Sequence, residues 1–361
     1  MMPALDDPLG RSAATWRVRY CGMLTSSDRS VLLDRLAAGA DKISAAWRDL
    51  PPAARAWRPG PGAWSAHEIL CHCADAEANS YARIRFLVAE VNPPIHAFDE
   101  NRWAQAVDYH ALPAETALSV VEALRAHTDT LVRRLPETAW ERAGTHTETG
   151  RYTAEQWLHI NVEHLEAHAA QIESNQNQWW GAGAPASSAS APAPGLAHAE
   201  RSAYERSAYI EQYAAGAARL RAAWAAVPSE ARHWRPAPGE WSAHEVVCHT
   251  ADSETNAYTR IRFLVAQDDP VIQGYDQEHW VSALDYAALS AESAMAAVEA
   301  VRGHTAAFIR RLPEAAWRRA GTHSESGPYS GDDWLHVYSA HLEDHARQIE
   351  ENVASFRREH S

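Results

Sequence analysis

The sequence is poor in several residue types, and each shortage excludes a class of protein. Four cysteines in 361 residues are too few for a scaffold stapled by disulfides, and we expect them to be reduced thiols. Lysine occurs once, at Lys42, and an internal copy of the sequence has Arg219 there, which argues against shared chemistry through a lysine Schiff base. The formal net charge of −14 is unfavourable for binding nucleic acid or an anionic membrane surface.

Several patterns are missing as well. No run of 18 apolar residues occurs, so we expect no membrane-spanning helix, and the first residues are too polar for a secretory signal. We find no GxxxxGK phosphate loop, no GxGxxG dinucleotide fingerprint and no GxSxG nucleophile elbow. These absences predict a cytoplasmic protein that uses none of those three common active-site designs.

What the sequence does contain is a duplication. WSAHEILCHCADAE begins at Trp64, and WSAHEVVCHTADSE begins at Trp241, 177 residues later. Residues 62–90 and 239–267 are identical at 20 of 29 positions, and the period is that of a whole domain. The segment GAGAPASSASAPAPG between the copies reads as a linker. We therefore predict an extension (1–25), a first domain (26–178), a linker (179–200) and a second domain (201–357).

Each copy is predicted to be helical. Apolar residues recur at helical spacing over residues 32–47, and Ser65 with Glu68 forms a capping box at the start of the next helix. A third helix is predicted over 114–135, and a fourth begins near Thr153. No segment predicts a strand. The fold class is therefore all-α, with two tandem four-helix bundles.

Three histidines in each copy form a candidate metal site. His164 and His168, in HLEAH, lie four residues apart and so share one helix face, where two imidazoles can chelate a divalent ion. His72 on the second helix is the candidate third ligand. A lone pair at this spacing is usually chance or surface polarity, but the pattern recurs in the second copy, which favours ligation. The equivalent residues there are His249, His341 and His345.

Other polar residues of each copy leave alternatives open. His67 and His244 are expected to be polar first-turn residues rather than ligands. His146 and His323 precede the last helix and are either acid/base groups near the metal or residues that stabilise a turn. Four residues on the ligand face are either hydrogen-bond acceptors for an imidazole or partners in helix-surface or interhelical hydrogen bonds: Asp75, Asp252, Asn79 and Asn256.

These motifs together resemble the DinB-like superfamily of metal-binding four-helix bundles. The resemblance rests on WSAHEILCHCADAE with RIRFL, on GTHTETG and on HLEAHAAQIE, each present twice with small changes, and it covers about 28–178 and 202–353. It implies an up-down-down-up bundle and a divalent metal held by the three histidines of each copy. Because such proteins often form homodimers, we expect a mainly monomeric chain whose two bundles pair with each other.

The resemblance also implies a function. The leading hypothesis is a divalent-metal-dependent enzyme, an S-transferase that activates a low-molecular-weight thiol. The alternatives are a metal-dependent hydrolase and a non-catalytic stress protein that binds a metal or ligand. Three imidazoles suit zinc, nickel, copper or iron, so the sequence does not select the metal. The expected partner is a small-molecule substrate, not a nucleic acid or a membrane.

Overall fold

A computed structural model describes residues 24–184 and 201–361. Almost all of the predicted N-terminal extension, most of the predicted linker, and Cys21 lie outside these ranges. The described chain divides into two compact units. Residues 24–99 and 109–184 form the first unit, and residues 100–108 belong with 201–361 in the second.

Each repeat contributes four long helices. In the first repeat they are α1 (Ser26–Asp49), α2 (Ala66–Ala89), α4 (Ala114–Val132) and α5 (Ala154–Gly181), with the short α3 (Glu100–Ala106) between α2 and α4. The second repeat has α6 (Arg201–Ala225), α7 (Ala243–Ala266), α8 (Gln277–Ala283), α9 (Ala291–Ile309), α10 (Glu314–Trp317) and α11 (Gly331–Glu359). The prediction of an all-α protein with two tandem four-helix bundles is confirmed.

The helices begin where the sequence predicts. Ser65 caps α2: its backbone N–H donates to Glu68 Oε2 (2.9 Å), and its Oγ accepts from the Glu68 N–H (3.3 Å). Thr153 and Gln156 form the same capping box at the start of α5. Such caps satisfy backbone donors that a helix start leaves unpaired, which fixes the first residue of the helix.

Contacts near the helix ends give the directions of the long helices. α1 and α5 run parallel, because their beginnings meet at Arg29 and Glu155 and their ends at Asp49 and Gln176. α2 runs against α5, and α4 runs against α1. The first direction follows from the hydrogen bonds of Trp157 Nε1 to Ser80 O (2.9 Å) and of Asn175 Nδ2 to Trp64 O (3.0 Å). The second follows from the hydrogen bonds of Ser44 Oγ to Glu122 Oε1 (2.7 Å) and of Arg133 Nη1 to Asp34 Oδ1 (2.9 Å). The first bundle is therefore up-down-down-up.

Each repeat also contains a small three-stranded sheet, so the prediction that no strand occurs is wrong. In the first repeat β1 (Pro94–Ile95) pairs in parallel with β2 (Ala143–His146), which pairs antiparallel with β3 (Gly150–Thr153). The second repeat has β4 (Val271–Ile272), β5 (Ala320–His323) and β6 (Gly327–Ser330) in the same order.

These strands escape sequence reasoning for a physical reason. They are two to four residues long and are not apolar in alternation, so they carry no period-two signal. Their shape instead depends on glycine. A Cβ at Gly144 would collide with the carbonyl oxygen of Pro93, and Gly150 has a φ of +78°.

One buried arginine connects all four long helices of the first bundle. Arg125 on α4 forms a bidentate ion pair with Glu77 on α2, and the side chains of both are almost fully buried. Its Nη1 also donates to Leu36 O on α1 (2.9 Å) and to Asn161 O on α5 (3.4 Å). α1 can approach this closely because Gly39 stands opposite: a Cβ there would lie 3.2 Å from Leu165 Cβ.

The second bundle repeats this clamp. Arg302 on α9 pairs with Glu254 on α7 through bonds of 2.6 and 2.7 Å, and it donates to Tyr213 O (2.6 Å) and Tyr338 O (2.9 Å) on the other two helices. Gly216 takes the place of Gly39. A guanidinium with five donors suits such a position, because each donor needs a partner when it is buried.

Two further expectations concern the environment of the chain. Among the described helices, none is both long enough and apolar enough to cross a bilayer. The expected pairing of the two bundles stays a prediction.

The clamp leads to a stability prediction. Arg125→Met should destabilise the first bundle by about 3–5 kcal/mol, because it leaves the Glu77 carboxylate buried without its partner. Urea unfolding, followed by hydrogen exchange of peptides from the first bundle, measures the change. The matched control is Arg133→Met, which removes a half-exposed partner of Asp34 and Asp129 and should cost about 1 kcal/mol or less. Equal losses of unfolding free energy in the two variants would show that the buried clamp stabilises the bundle no more than an exposed ion pair does.

Candidate metal centre

The three predicted ligands of each repeat come together. In the first bundle one ring nitrogen from each of His72, His164 and His168 lies within 4.8 Å of the other two, and the ring centroids are 4.5–5.3 Å apart. The second bundle brings its three predicted ligands together in the same way, with ring centroids 4.6–5.9 Å apart. These are His249, His341 and His345.

The helix arrangement explains this meeting. His164 and His168 are one turn apart on α5, so their rings project from one face towards α2. α2 crosses antiparallel to α5 and carries His72 opposite that face. The ring of Trp64, at the α2 start, lies 5.0 Å from the His72 ring, and Trp241 lies 4.7 Å from His249 in the second bundle. Packing thus limits the orientation of each α2 or α7 histidine.

The spacing of the nitrogens fits a divalent ion. His72 Nε2 and His164 Nε2 are 3.2 Å apart. A tetrahedral ion with metal–nitrogen bonds of 2.0–2.1 Å separates two imidazole nitrogens by about 3.3 Å. In addition, the buried Nδ1 atoms of His72 and His249 have no hydrogen-bond partner in the described chain, which is uncommon away from functional sites. The residues present therefore fit a bound metal.

Hydrogen bonds behind the triads orient two of the rings. His168 Nδ1 lies 2.9 Å from Gln171 Oε1, and His345 Nδ1 lies 2.9 Å from Gln348 Oε1. Since the amide oxygen only accepts, each Nδ1 carries the proton and the Nε2 lone pair faces the centre of the triad. Each histidine–glutamine pair does leave a signal in the sequence, because the glutamine follows the histidine by three residues in both repeats.

In the second bundle the clamp reaches the triad directly. His341 Nδ1 lies 2.8 Å from Glu254 Oε1, the carboxylate that also pairs with Arg302. In the first bundle Glu77 pairs with Arg125, and within the described residues it makes no hydrogen bond to a triad histidine. Sequence reasoning missed Glu254, because its contact depends on how α7 and α11 meet rather than on spacing along either helix.

Of the four residues predicted either to orient the ligands or to form other hydrogen bonds, none bonds to a triad histidine among the described contacts. Tyr109 Oη donates to Asp75 Oδ2 (2.7 Å), and Tyr286 Oη donates to Asp252 Oδ2 (2.6 Å). Asn79 and Asn256 instead donate to carbonyl oxygens of their own helices. His67 lies outside the triad, with its Nε2 2.9 Å from Leu112 O, as does His244, 3.1 Å from Tyr286 O.

The two predicted acid/base histidines end strands β2 and β5. Burial, with Arg83 and His96 nearby, lowers the pKa of His146 to about 4, and burial also lowers the pKa of His323. The Nδ1 of His146 accepts weak hydrogen bonds from the N–H groups of Glu148 (3.3 Å) and Thr149 (3.4 Å), so this ring stabilises its turn. A role in catalysis stays a prediction.

Burial also sets the protonation of the triads. It holds the pKa of His72 and His164 well below the usual value and lowers the pKa of His168 to about 4. In the second bundle the pKa of His249 is likewise well below its usual value, and that of His345 is lowered to about 4. These rings are therefore neutral at pH 7, which is the form that binds a metal.

Both triads are partly exposed: one ring of the first triad and two rings of the second are only partly buried. His72 and His168 are buried whereas His164 is partly exposed, and within the described residues no fourth His, Cys, Asp or Glu joins either triad. Three protein ligands with an accessible side are typical of catalytic rather than structural metal sites.

A protein-family model also matches this chain, once in each repeat. The model described as the DinB superfamily matches residues 35–172 and 212–349, which together exceed half of the chain. Each match contains one complete histidine triad.

Known proteins with similar sequences come from bacilli. One from Oceanobacillus iheyensis is 36% identical over 113 residues, which are 31% of this chain and 65% of that protein. One from Bacillus licheniformis is 30% identical over 121 residues, 32% of this chain and 67% of that protein. Both carry the name "Putative metal-dependent hydrolase". The chain thus spans just under two thirds of the first relative's length.

A solved structure is also similar. It is entitled "YfiT from Bacillus subtilis is a probable metal-dependent hydrolase with an unusual four-helix bundle topology". The match has 22% sequence identity and a TM-score of 0.42, and it covers 44% of this chain and 91% of that one.

The buried neutral histidines predict how stability depends on pH. Their pKa values are lowered in the folded protein, so between pH 6.5 and about 4 the unfolded chain binds more protons. Metal-free protein should therefore be most stable above pH 6.5 and lose stability as the pH falls. Thermal unfolding at pH 7.5, 6.5, 5.5 and 5.0 measures this. The variant His168→Gln with His345→Gln should show a shallower decline, and an unchanged slope would contradict the assignment.

The hydrogen bond between Glu254 and His341 predicts that loss of the Glu254 carboxylate weakens metal binding at the second triad. Glu254→Gln should weaken Zn²⁺ binding at the second triad by roughly 10- to 100-fold, because the carboxylate raises the basicity of the imidazole and fixes its orientation. Competition with a chromophoric chelator measures the affinity of each site. Glu77→Gln is the matched control and should change the affinity of the first triad much less. Similar effects of both variants would show that the clamp acts only on folding.

Proposed function

Because the chain belongs to the DinB superfamily and carries the domain twice, we propose that it is a divalent-metal-dependent enzyme with one three-histidine metal site in each bundle. The observation that carries this proposal is the convergence of both triads, with His72 Nε2 and His164 Nε2 at the spacing of two metal ligands. The six ligands are His72, His164, His168, His249, His341 and His345.

The protein side chains of each site have separable tasks. Gln171 and Gln348 hold the proton on Nδ1 of their histidines, so that Nε2 is available as a ligand. A divalent metal held by these histidines would supply Lewis acidity, which lowers the pKa of a thiol or water. The chain does not offer Cys73 as the nucleophile, since burial raises the pKa of this thiol well above its usual value. The other described cysteines, Cys71 and Cys248, are also buried and donate to backbone carbonyl oxygens at 3.6 Å, so we infer that the nucleophile comes from solution.

We favour transfer of a low-molecular-weight thiol to an electrophilic small molecule. The reaction requires a divalent metal held by neutral imidazoles and space for a thiol beside it. We also propose that the protein is cytoplasmic, because low-molecular-weight thiols stay reduced in that compartment. The second candidate is hydrolysis, which the name of the bacillar relatives favours. The two reactions differ only in whether the added nucleophile is a thiol or water. His146 and His323 are the candidate acid/base groups for both.

Metal content and turnover test this proposal together. Protein purified without chelator should contain close to two divalent ions per chain. With monobromobimane as electrophile and glutathione, cysteine or coenzyme A as thiol, the loaded protein should accelerate conjugation, and chelation should abolish the acceleration. Replacing all six ligands with alanine should remove both metal and activity.

The control is His67→Ala with His244→Ala, which removes two histidines of the same helices that lie outside the triads. It should keep the metal and the activity. Conjugation that survives loss of all six ligands would contradict metal-dependent catalysis. Metal-dependent cleavage of an ester or amide without thiol transfer would favour the hydrolase, and bound metal with neither activity would favour a binding protein.

A further inference from the structure

The two triads have identical ligands but different surroundings. Several of the differences between the repeats lie at residues that contact a triad histidine or the arginine beside it. This arginine is Arg83 on α2 in the first bundle and Arg260 on α7 in the second. The exchanged pairs are Ala76 and Ser253, His96 and Gln273, Phe98 and Tyr275, and Asn161 and Tyr338.

In the second bundle a tyrosine fills the space between the arginine and the triad. The Tyr338 ring lies 5.6 Å from the His341 ring, and its hydroxyl accepts a hydrogen bond of 2.8 Å from Arg260 Nη1. Ser253 adds a second hydroxyl, 3.2 Å from His341 Nε2. One phenol therefore spans the distance from the guanidinium to a metal ligand.

Among the described residues of the first bundle, none bridges this distance as Tyr338 does in the second. Asn161 donates to Trp157 O of its own helix (2.7 Å), and Ala76 carries no hydroxyl. Phe98 lies near both the triad and the arginine, with its ring 6.5 Å from the His72 ring and 5.9 Å from the Arg83 guanidinium carbon. Arg83 thus borders the triad, as Arg260 does, without a phenol between them.

Arg83 also forms no direct ion pair within the described residues, although the negative charge of Glu148 partly offsets the effect of burial on its pKa. Its Nη2 donates to His96 O (2.7 Å), as Arg260 Nη2 does to Gln273 O (2.6 Å), but no carboxylate among the described residues forms an ion pair with it. Burial lowers its pKa, and its charge lowers the pKa of both His146 and His164. A guanidinium that is not already held in a bidentate ion pair is a strong site for a planar anion.

We propose that the first site binds a small molecule that carries a carboxylate, held by Arg83, and that Tyr338 occupies the corresponding place in the second site and excludes such a molecule. This inference rests on the proposed function, because it assigns the substrate class of one of the two metal sites. The carboxylate would be separated from the reacting atom by about the length of the phenol that replaces it. The second site then takes a substrate without that anion.

Isolated sites and matched thiols test this proposal. His341→Ala with His345→Ala leaves the first site, and His164→Ala with His168→Ala leaves the second. Each protein is loaded with Co²⁺, and thiol binding is followed by the thiolate-to-cobalt absorption band. The ligands are 3-mercaptopropionate, the uncharged 3-mercapto-1-propanol, and 2-mercaptoethanesulfonate, which separates carboxylate recognition from general attraction of anions.

The first site should bind 3-mercaptopropionate roughly 10- to 100-fold more tightly than the alcohol, as expected for one charge-assisted hydrogen-bonded pair. The second site should bind the two alike. Arg83→Gln should remove the preference of the first site. Asn161→Tyr should remove it too while leaving Arg83 in place, and Tyr338→Asn should introduce a preference at the second site. These exchanges use residues that the same fold already accepts in its other copy.

The outcomes separate this inference from the proposed function. Equal binding of the acid and the alcohol at the first site overturns the carboxylate site and leaves the metal enzyme intact, and a preference for the sulfonate alone overturns it as well. If no thiol binds to cobalt, the anion site is tested separately by saturation-transfer NMR, which detects binding of propionate to the metal-free protein. A signal that both Arg83→Gln and Asn161→Tyr abolish keeps the anion site although thiol activation has failed, and no signal refutes the site.

Discussion

The rest of each bundle depends on one buried arginine. Arg125 holds the Glu77 carboxylate and two backbone carbonyls, so a single planar group is bonded to all four long helices. Desolvating such a charge is costly, and only near-complete satisfaction of its donors makes it tolerable. The helices must therefore meet at one level and in one rotation about their axes. Gly39, which lets α1 come close enough, is part of the same constraint.

The clamp and the metal centre are parts of one structure. α2 carries both Glu77 and His72, and α5 carries both Asn161 and His164, so fixing the helices on the arginine also fixes the distance between the ligands. In the second bundle the connection is direct, because Glu254 bonds Arg302 with its two oxygens and reaches His341 as well. Ligand geometry is thus set mainly by the bundle, and bound metal adds stability by binding the folded form.

Much of this architecture is visible in the sequence because it is local. Capping residues such as Ser65 act within one turn, and the spacing of His164 and His168 needs only the helical period. The duplication adds a comparison that a single domain lacks. What could not be predicted is non-local: the strand pairing around Gly144 requires close approach of two distant segments, and the bond from Glu254 to His341 requires a known crossing of two helices. Arg83 stands in the RIRFL motif that both repeats share, but its surroundings depend on residues from distant segments, which the motif does not reveal.

The two repeats show which parts of such a site can change without disturbing the fold. Ligands and their glutamine partners are the same in both, since moving a donor atom by a fraction of an ångström loses the metal geometry. Ala76 to Ser253 and Phe98 to Tyr275 each add one hydroxyl with little change of volume, and Asn161 to Tyr338 adds a phenol. A hydroxyl in a buried pocket needs a partner, and Arg260 and His341 provide partners in the second bundle. The backbone therefore stays the same while the hydrogen-bonding groups beside the two triads differ, so one duplicated fold keeps the same three histidines twice and surrounds them with different chemical groups.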